Sequence, residues 1–204
     1  MYALFLRSKK ILSLSMEILH QHKRFENISY EDKVVEGREF YDCTFYKSNL
    51  KGCIFQECIF EKCTFEDCDL SLINVKRTAL TGIQVINSKA IGILWCNASN
   101  PLSISFHHSQ ISYSNFYGKN LKKSQFVKCV AADVDFSECN LSTANFSGTD
   151  LRNARFFNTD LTGASFVDTE NYFIDPKTNK IKNAKFNLPG ALSFLTALDI
   201  VLVD

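Results

Sequence analysis

Large apolar residues return along this chain every five positions. That spacing suits neither an α-helix, which repeats at about 3.6, nor a flat strand, which repeats at about 2. The clearest stretch is 144–166. There Phe146, Leu151, Phe156, Leu161 and Phe166 mark the period, and a small residue precedes each by two: Ala144, Thr149, Ala154, Thr159 and Ala164. The residue between the two is usually Asn or Asp. Self-similarity at a fixed period predicts a repeat architecture, in which each unit buries its apolar face only against its neighbours.

From Phe40 one register runs through Phe45, Leu50, Phe55, Phe60, Phe65, Leu70, Val75, Leu80 and Val85 to Ala90. It slips by one residue before Phe106. It then runs through Ile111, Phe116, Leu121, Phe126, Ala131, Phe136, Leu141, Phe146, Leu151, Phe156 and Leu161 to Phe166. Of these twenty-four positions, twelve are Phe and seven are Leu, so one rule accounts for most of the chain's 18 Phe. Phe25, Tyr30 and Val35 keep the spacing more weakly and predict a degenerate first coil.

The motif, small–(Asp/Asn)–(Leu/Phe)–x–x over about residues 25–186, resembles the pentapeptide-repeat family. The resemblance implies an all-β fold, a right-handed quadrilateral β-helix with four pentapeptides per coil. The central Leu or Phe and the small residue two before it point inward. Residues twenty apart then stack on one wall at about 4.8 Å. Phe106, Phe126, Phe146 and Phe166 should line one wall, with Phe116, Phe136 and Phe156 opposite. The pattern predicts nearly seven coils. Residues 1–24 are expected to be a cap, a short amphipathic helix, or disordered. Basic residues Arg7, Lys9 and Lys10 follow the first apolar cluster and Glu17 breaks the second, which argues against a signal peptide. Residues 187–204 are expected to form a helix over LPGALSFLTAL and a terminal strand over DIVLVD.

Seven of the eight Cys fall at the small inward position: Cys43, Cys53, Cys58, Cys63, Cys68, Cys129 and Cys139. Their C-x4-C spacing does not match structural zinc sites, so they read as buried hydrophobes rather than metal ligands. So Cys-rich an interior suits a reducing cytoplasm. Cys96 lies outside the pattern, within residues 91–105 (IGILWCNASNPLSIS), where the register slips. That segment reads either as a corner irregularity with Trp95 packed inside or as a protruding contact loop, with Asn100-Pro101 as a turn signal.

Net charge is +1, which supplies no global field for nucleic acid or an anionic membrane. No apolar run approaches the roughly 20 residues of a membrane span. Charge is nevertheless uneven. Residues 133–175 carry eight acids against Arg152 and Arg155, a net of −6. A solvated face and a partner-binding acidic face both fit this. Candidate partner-binding residues are therefore Trp95, Asn100, Pro101, Asp133, Asp135, Asp150, Asp160 and Asp168.

No catalytic constellation is present in the sequence: no phosphate-binding Gly-rich loop, no H-E-x-x-H, no nucleophile elbow. His20, His22, His107 and His108 lack an evident triad partner. No catalytic residue, cofactor or metal is predicted. The expected function is a protein-binding scaffold of unknown partner. The alternative comes from the resemblance, which is closest in pattern to Qnr-type quinolone-resistance and microcin-immunity proteins. It implies DNA mimicry, binding to DNA gyrase or topoisomerase IV, and protection against quinolones or a toxin. The charge departs from that pattern, because a duplex about 33 Å long carries about 19 negative charges. The resemblance also implies a homodimer through the C-terminus, on Leu192, Phe194, Leu195 and Leu198, although a monomeric cap would use the same residues.

Overall fold

The computed structural model describes residues 17–198 and 200. The helix expected over the first residues and most of the DIVLVD strand lie outside these. Within them the chain winds as a quadrilateral β-helix of about eight coils. Parallel pairing joins residues twenty apart: Phe40 to Phe60, Phe45 to Phe65, Val35 to Phe55. All twenty-four positions of the five-residue register are buried.

The inward residues sort onto four walls. Wall I carries Phe25, Phe45, Phe65, Val85, Phe106, Phe126, Phe146, Phe166 and Phe186. Wall II carries Leu50, Leu70, Ala90, Ile111, Ala131 and Leu151. Wall III carries Val35, Phe55, Val75, Trp95, Phe116, Phe136 and Phe156. Wall IV carries His20, Phe40, Phe60, Leu80, Leu102, Leu121, Leu141, Leu161 and Ile181. Down wall I the rings stack face to face, Phe126 on Phe146 at 5.0 Å and Phe146 on Phe166 at 5.0 Å. Across the axis they meet edge to face, Phe126 with Phe136 at 5.3 Å. The sequence expectation for the C-terminal coils is met on both counts.

Most corners turn through a residue with positive φ two places after the inward one, as at Asp42, Lys47, Asp133 and Asn153, the exceptions including Asn97 and Ile104 at the register slip. Only Gly, Asn and Asp tolerate that conformation readily, which is why they crowd these positions. Where Asn or Asp also precedes the inward residue, its Oδ1 accepts the N–H two residues on. Asn115 takes Tyr117 N–H at 2.9 Å, and Asn140 takes Ser142 N–H at 3.0 Å. The carboxylate or amide thus ties the corner as an Asx turn.

The solenoid begins earlier than expected. Leu19–Gln21 and Arg24–Glu26 already pair with Glu39–Tyr41 and Thr44–Tyr46. His20 occupies an inward slot and stacks on Phe40 at 4.8 Å. That is why the count passes the expected seven coils and why residues 17–24 are not a separate cap.

The register slip is a local bulge. Leu102 pairs with Leu80 but Ile104 pairs with Ile83, and the ladder then continues with Phe106 opposite Val85. Just before it, Trp95–Asn97 form a single 3-10 turn. The chain closes on helices Leu188–Ala191 and Ser193–Ala197. Phe194 sets its ring edge on Phe186 at 4.7 Å and helps cover the last coil. Among the described residues no helix is long and apolar enough to cross a membrane.

Candidate partner-binding surface

A rod with a filled axis can present only walls, corners and ends. The predicted contact residues divide among these. Trp95 is the first correction: it is 2% exposed, stacked on Phe116 at 5.9 Å and edge-on to Phe106 at 5.7 Å. It fills an inward slot of wall III and presents nothing to a partner. Asn100 and Pro101 do reach the surface, but Asn100 Oδ1 accepts a hydrogen bond from Lys119 Nζ at 3.0 Å. Lys119 Nζ also donates to Ala98 C=O at 2.7 Å. Lys119 stands in a small inward slot and is 5% exposed. Its amine takes the role that a Ser, Thr or Cys plays elsewhere, donating to a main-chain carbonyl of the coil below, here that of Ala98 just before the bulge. Burial lowers its pKa below the usual lysine value.

The five acids do not form one face. Asp135 lies on wall III beside Asn115 and Arg155, Asp150 on wall II between Val130 and Glu170, and Asp160 on wall IV between Asn140 and Lys180. Asp133 sits on the corner after wall II and Asp168 on the corner after wall I, both at positive φ. The acid-rich segment is thus wrapped around the rod, and the expected single acidic face is not formed. Three of the acids also hold corners. Asp135 accepts Ser137 N–H at 2.9 Å, Asp150 accepts Arg152 N–H at 3.1 Å, and Asp160 accepts Thr162 N–H at 3.0 Å. Burial works to raise the pKa of Asp150, but hydrogen bonds from Arg152 and Asn171 outweigh it and leave the pKa lowered. Hydrogen bonds from Thr162 lower that of Asp160.

The seven inward thiols are buried and all eight cysteines are free. Sγ of Cys63 donates to Phe40 C=O at 3.3 Å, and Sγ of Cys139 to Phe116 C=O at 3.0 Å. Burial pushes Cys53, Cys63 and Cys139 up to about 12, far from a reactive thiolate. Among the described residues no cluster of three or more His, Cys, Asp or Glu could hold a metal.

What the sequence reading missed is wall III itself. Val34, Ile54, Leu94, Tyr117 and Phe157 all point outward from it and are exposed, and Phe173 stands exposed beyond its end. Tyr117 and Phe157 take the same outward place two coils apart, which the register could have shown. Near the C-terminal end the wall opens into a groove of about 760 Å³, lined by Tyr117, Ser137, Arg155, Phe157, Phe173 and Asp175 among others. At the rod's end, Leu188, Leu192 and Leu198 are exposed, while Phe194 and Leu195 are half-buried. The predicted interface residues therefore split between the cap and the surface.

Comparison with known proteins agrees with this geometry. A family model for the pentapeptide repeat region matches residues 102–171, and one for nine copies of the pentapeptide repeat matches 34–72. The chain belongs to the pentapeptide-repeat family. Among solved structures, it is similar to a trypsin-treated variant of QnrB1, a plasmid-mediated fluoroquinolone resistance protein. The TM-score is 0.68 at 19% identity over 91% of this chain and 98% of that one. It is also similar to HetL, a pentapeptide-repeat protein involved in heterocyst differentiation regulation from the cyanobacterium Nostoc sp. strain PCC 7120. There the TM-score is 0.64 at 15% identity, over 80% and 72% of the two chains. No curated protein matches the sequence. At such identities the likeness speaks for the fold.

Proposed function

We propose that this pentapeptide-repeat protein is a non-catalytic scaffold that binds a partner protein along wall III. The observation that carries this reading is a set of five exposed apolar side chains on wall III, Val34, Ile54 and Leu94 in one outward column and Tyr117 and Phe157 in the next, with polar residues such as Asn74 and Ser137 between them. Exposed large apolar side chains set among polar ones are what protein interfaces use. Seven thiols held reduced inside the rod fit a cytoplasmic setting. A homodimer through exposed Leu188, Leu192 and Leu198 at the C-terminal end is part of the proposal.

The second reading, a Qnr-like mimic of DNA that binds gyrase or topoisomerase IV, is favoured by the fold similarity to QnrB1. Against it stands the dispersal of the acids around the rod, since a duplex surface needs continuous negative charge.

Affinity capture with the native chain and with the triple variant Leu94→Ser, Tyr117→Ser, Phe157→Ser tests the scaffold. Partners retained by the native chain and lost by the variant, at an unchanged melting temperature, are expected. Identical partner sets would refute it. A gyrase supercoiling assay, with and without quinolone, tests the mimic, and light scattering on the Leu192→Glu variant tests the dimer.

A further inference from the structure

Wall III lacks a main-chain rung at two places, one beside Val75 where the Trp95–Asn97 turn interrupts it and one at its C-terminal end. Elsewhere along this wall each coil is stitched to the next by two main-chain bonds. Phe136 N–H donates to Arg155 C=O at 2.9 Å, and Arg155 N–H donates to Val134 C=O at 2.8 Å. One coil further on, the equivalent groups are Phe156 N–H and Ala154 C=O. Neither has a hydrogen-bond partner among the described residues. Both residues line the groove.

The chain that should supply the partners passes residues 154–156 without pairing and rejoins only at the corner beyond, where Asn158 N–H donates to Thr178 C=O at 3.1 Å and Asn179 Nδ2 donates to Phe156 C=O at 3.1 Å. Glu170 is still bridged to Asp150 and Lys180 to Asp160, but nothing between them joins wall III as a rung. Ile174 is buried, so the axis is filled there. Asp175, twenty residues after Arg155, has turned back on its own loop. Its Oδ1 accepts Lys177 N–H at 2.8 Å and its C=O accepts Asn179 Nδ2 at 3.0 Å.

Side chains around the opening are also without partners. Ser137 is 5% exposed, yet its Oγ makes no hydrogen bond. No ion pair within the described residues involves Arg155, although the register sets Asp135 beside it on one side and would set Asp175 on the other. Phe157 and Phe173 stand exposed at the rim.

We propose that this opening docks an extended segment of a partner protein, which adds the absent rung by parallel β-pairing to residues 154–156 and sets an acidic side chain against Arg155. A vacant N–H and C=O on one edge are a template for main chain, and β-strand addition satisfies both at once. The pairing residue of the segment donates to Ala154 C=O and accepts from Phe156 N–H. Its own side chain then falls in the column Asn115, Asp135, Arg155, next to the free guanidinium. The residues on either side of it face the axis and must both be small, because Ile174 already occupies the space. The inference rests on the scaffold reading and names the segment chemistry that one part of wall III would take.

The test is fluorescence anisotropy on the full chain with fluorescein-labelled Ala-Asp-Ala-Asp-Ala-Ser, which copies residues 132–137 with Ala in place of Val134 and Phe136. Saturable binding is expected. N-methylation of the fourth peptide residue removes its donor and should weaken binding by about tenfold or more, as should Arg155→Glu. The Arg155→Glu variant should in turn prefer a peptide with Lys at that fourth place. No saturation by about 1 mM peptide, in the range of the weakest specific complexes, would overturn the proposal. So would indifference to N-methylation. Slow exchange of the Phe156 amide in the free chain would overturn it too, because the protein would then be filling the rung itself. The scaffold reading fails separately, on the capture comparison with the wall III triple variant, and a negative peptide titration leaves that comparison intact.

Discussion

The N-terminal and C-terminal coils fill the same square cross-section in two ways. In the first, the aromatic columns stand on adjoining walls: His20, Phe40 and Phe60 on wall IV, and Phe25, Phe45 and Phe65 on wall I. Their stacked rings are 4.6 to 4.9 Å apart. In the second, wall I keeps its column but the other has moved to wall III, opposite, with stacked spacings of 5.0 to 5.6 Å. The exchange happens over Leu70, Val75, Leu80, Val85 and Ala90, where no inward residue is aromatic. A small internal void lies there, bordered by Phe55, Phe60, Phe65 and Trp95. The bulge follows within one coil. The period of five therefore decides which residues point inward, and volume decides which walls take the rings. Two aromatic columns out of four suffice, in either arrangement.

The backbone differs in step. Where a β-branched residue precedes the inward Phe, as at Thr44, Ile54, Ile59 and Thr64, a three-residue strand forms. Where Asn or Asp precedes the inward residue, as at Asn49, Asp69 and most C-terminal positions, the side chain ties the corner and only an isolated bridge remains. The chemistry at the position before the core residue thus sets the local form of the wall.

The comparison can be broken most directly at the rings. Phe136→Ala and Phe45→Ala should each cost about 3–5 kcal/mol, as large cavities in fully enclosed positions do. Urea denaturation should show similar losses from both, despite the different column geometry, and an unchanged midpoint for either would remove it from the axis. Next comes the junction. Lys119→Ala strips two hydrogen bonds from Ala98 and Asn100 and should cost about 1–3 kcal/mol, measured the same way. Smaller again is Asp160→Ala, which unties one corner at a cost of about 1 kcal/mol, while Asp160→Asn should retain most of the melting temperature. The smallest effect is at the N-terminal end. Burial lowers the pKa of His20 below its ordinary 6.5, assisted by Lys23 and Arg38 and opposed by Glu17. The neutral ring is thus favoured in the fold. Its contribution is complete above about pH 6.5 and is lost as pH falls from there through the lowered value. His20→Phe, which continues the column, should flatten the denaturation midpoint between about pH 7.5 and pH 5.

The repeat was legible because the inward rule is local and strict. Every large residue of its two main registers is buried, and the C-terminal Phe columns lie on opposite walls as read. What escaped were substitutions that keep a slot while changing its chemistry. His20 holds a Phe position, so the first coil is hidden in an apparent cap. Lys119 holds a small position, yet in sequence it looks like one more surface charge beside Lys122, Lys123 and Lys128. The acids looked like a face because they are close in sequence, but five residues advance the chain by one wall. The sequence shows the charge and the winding disperses it. The missing C-terminal rung of wall III was legible only in part. The Asp-Pro turn marked a loop, but not that it would leave Phe156 and Ala154 unpaired.

Because neighbours along the axis are twenty residues apart everywhere but at the bulge, length is a free variable of this molecule in steps of one storey. Duplicating 126–145 would insert a floor whose ceiling and ground both match, raising the rod by about 4.8 Å without disturbing either end. Duplicating only five residues would swing everything downstream by a quarter turn and bring leucine files under phenylalanine files. Genes for such rods should therefore grow and shrink by whole floors, and a chain whose count is off by one needs a repair like the one Lys119 provides.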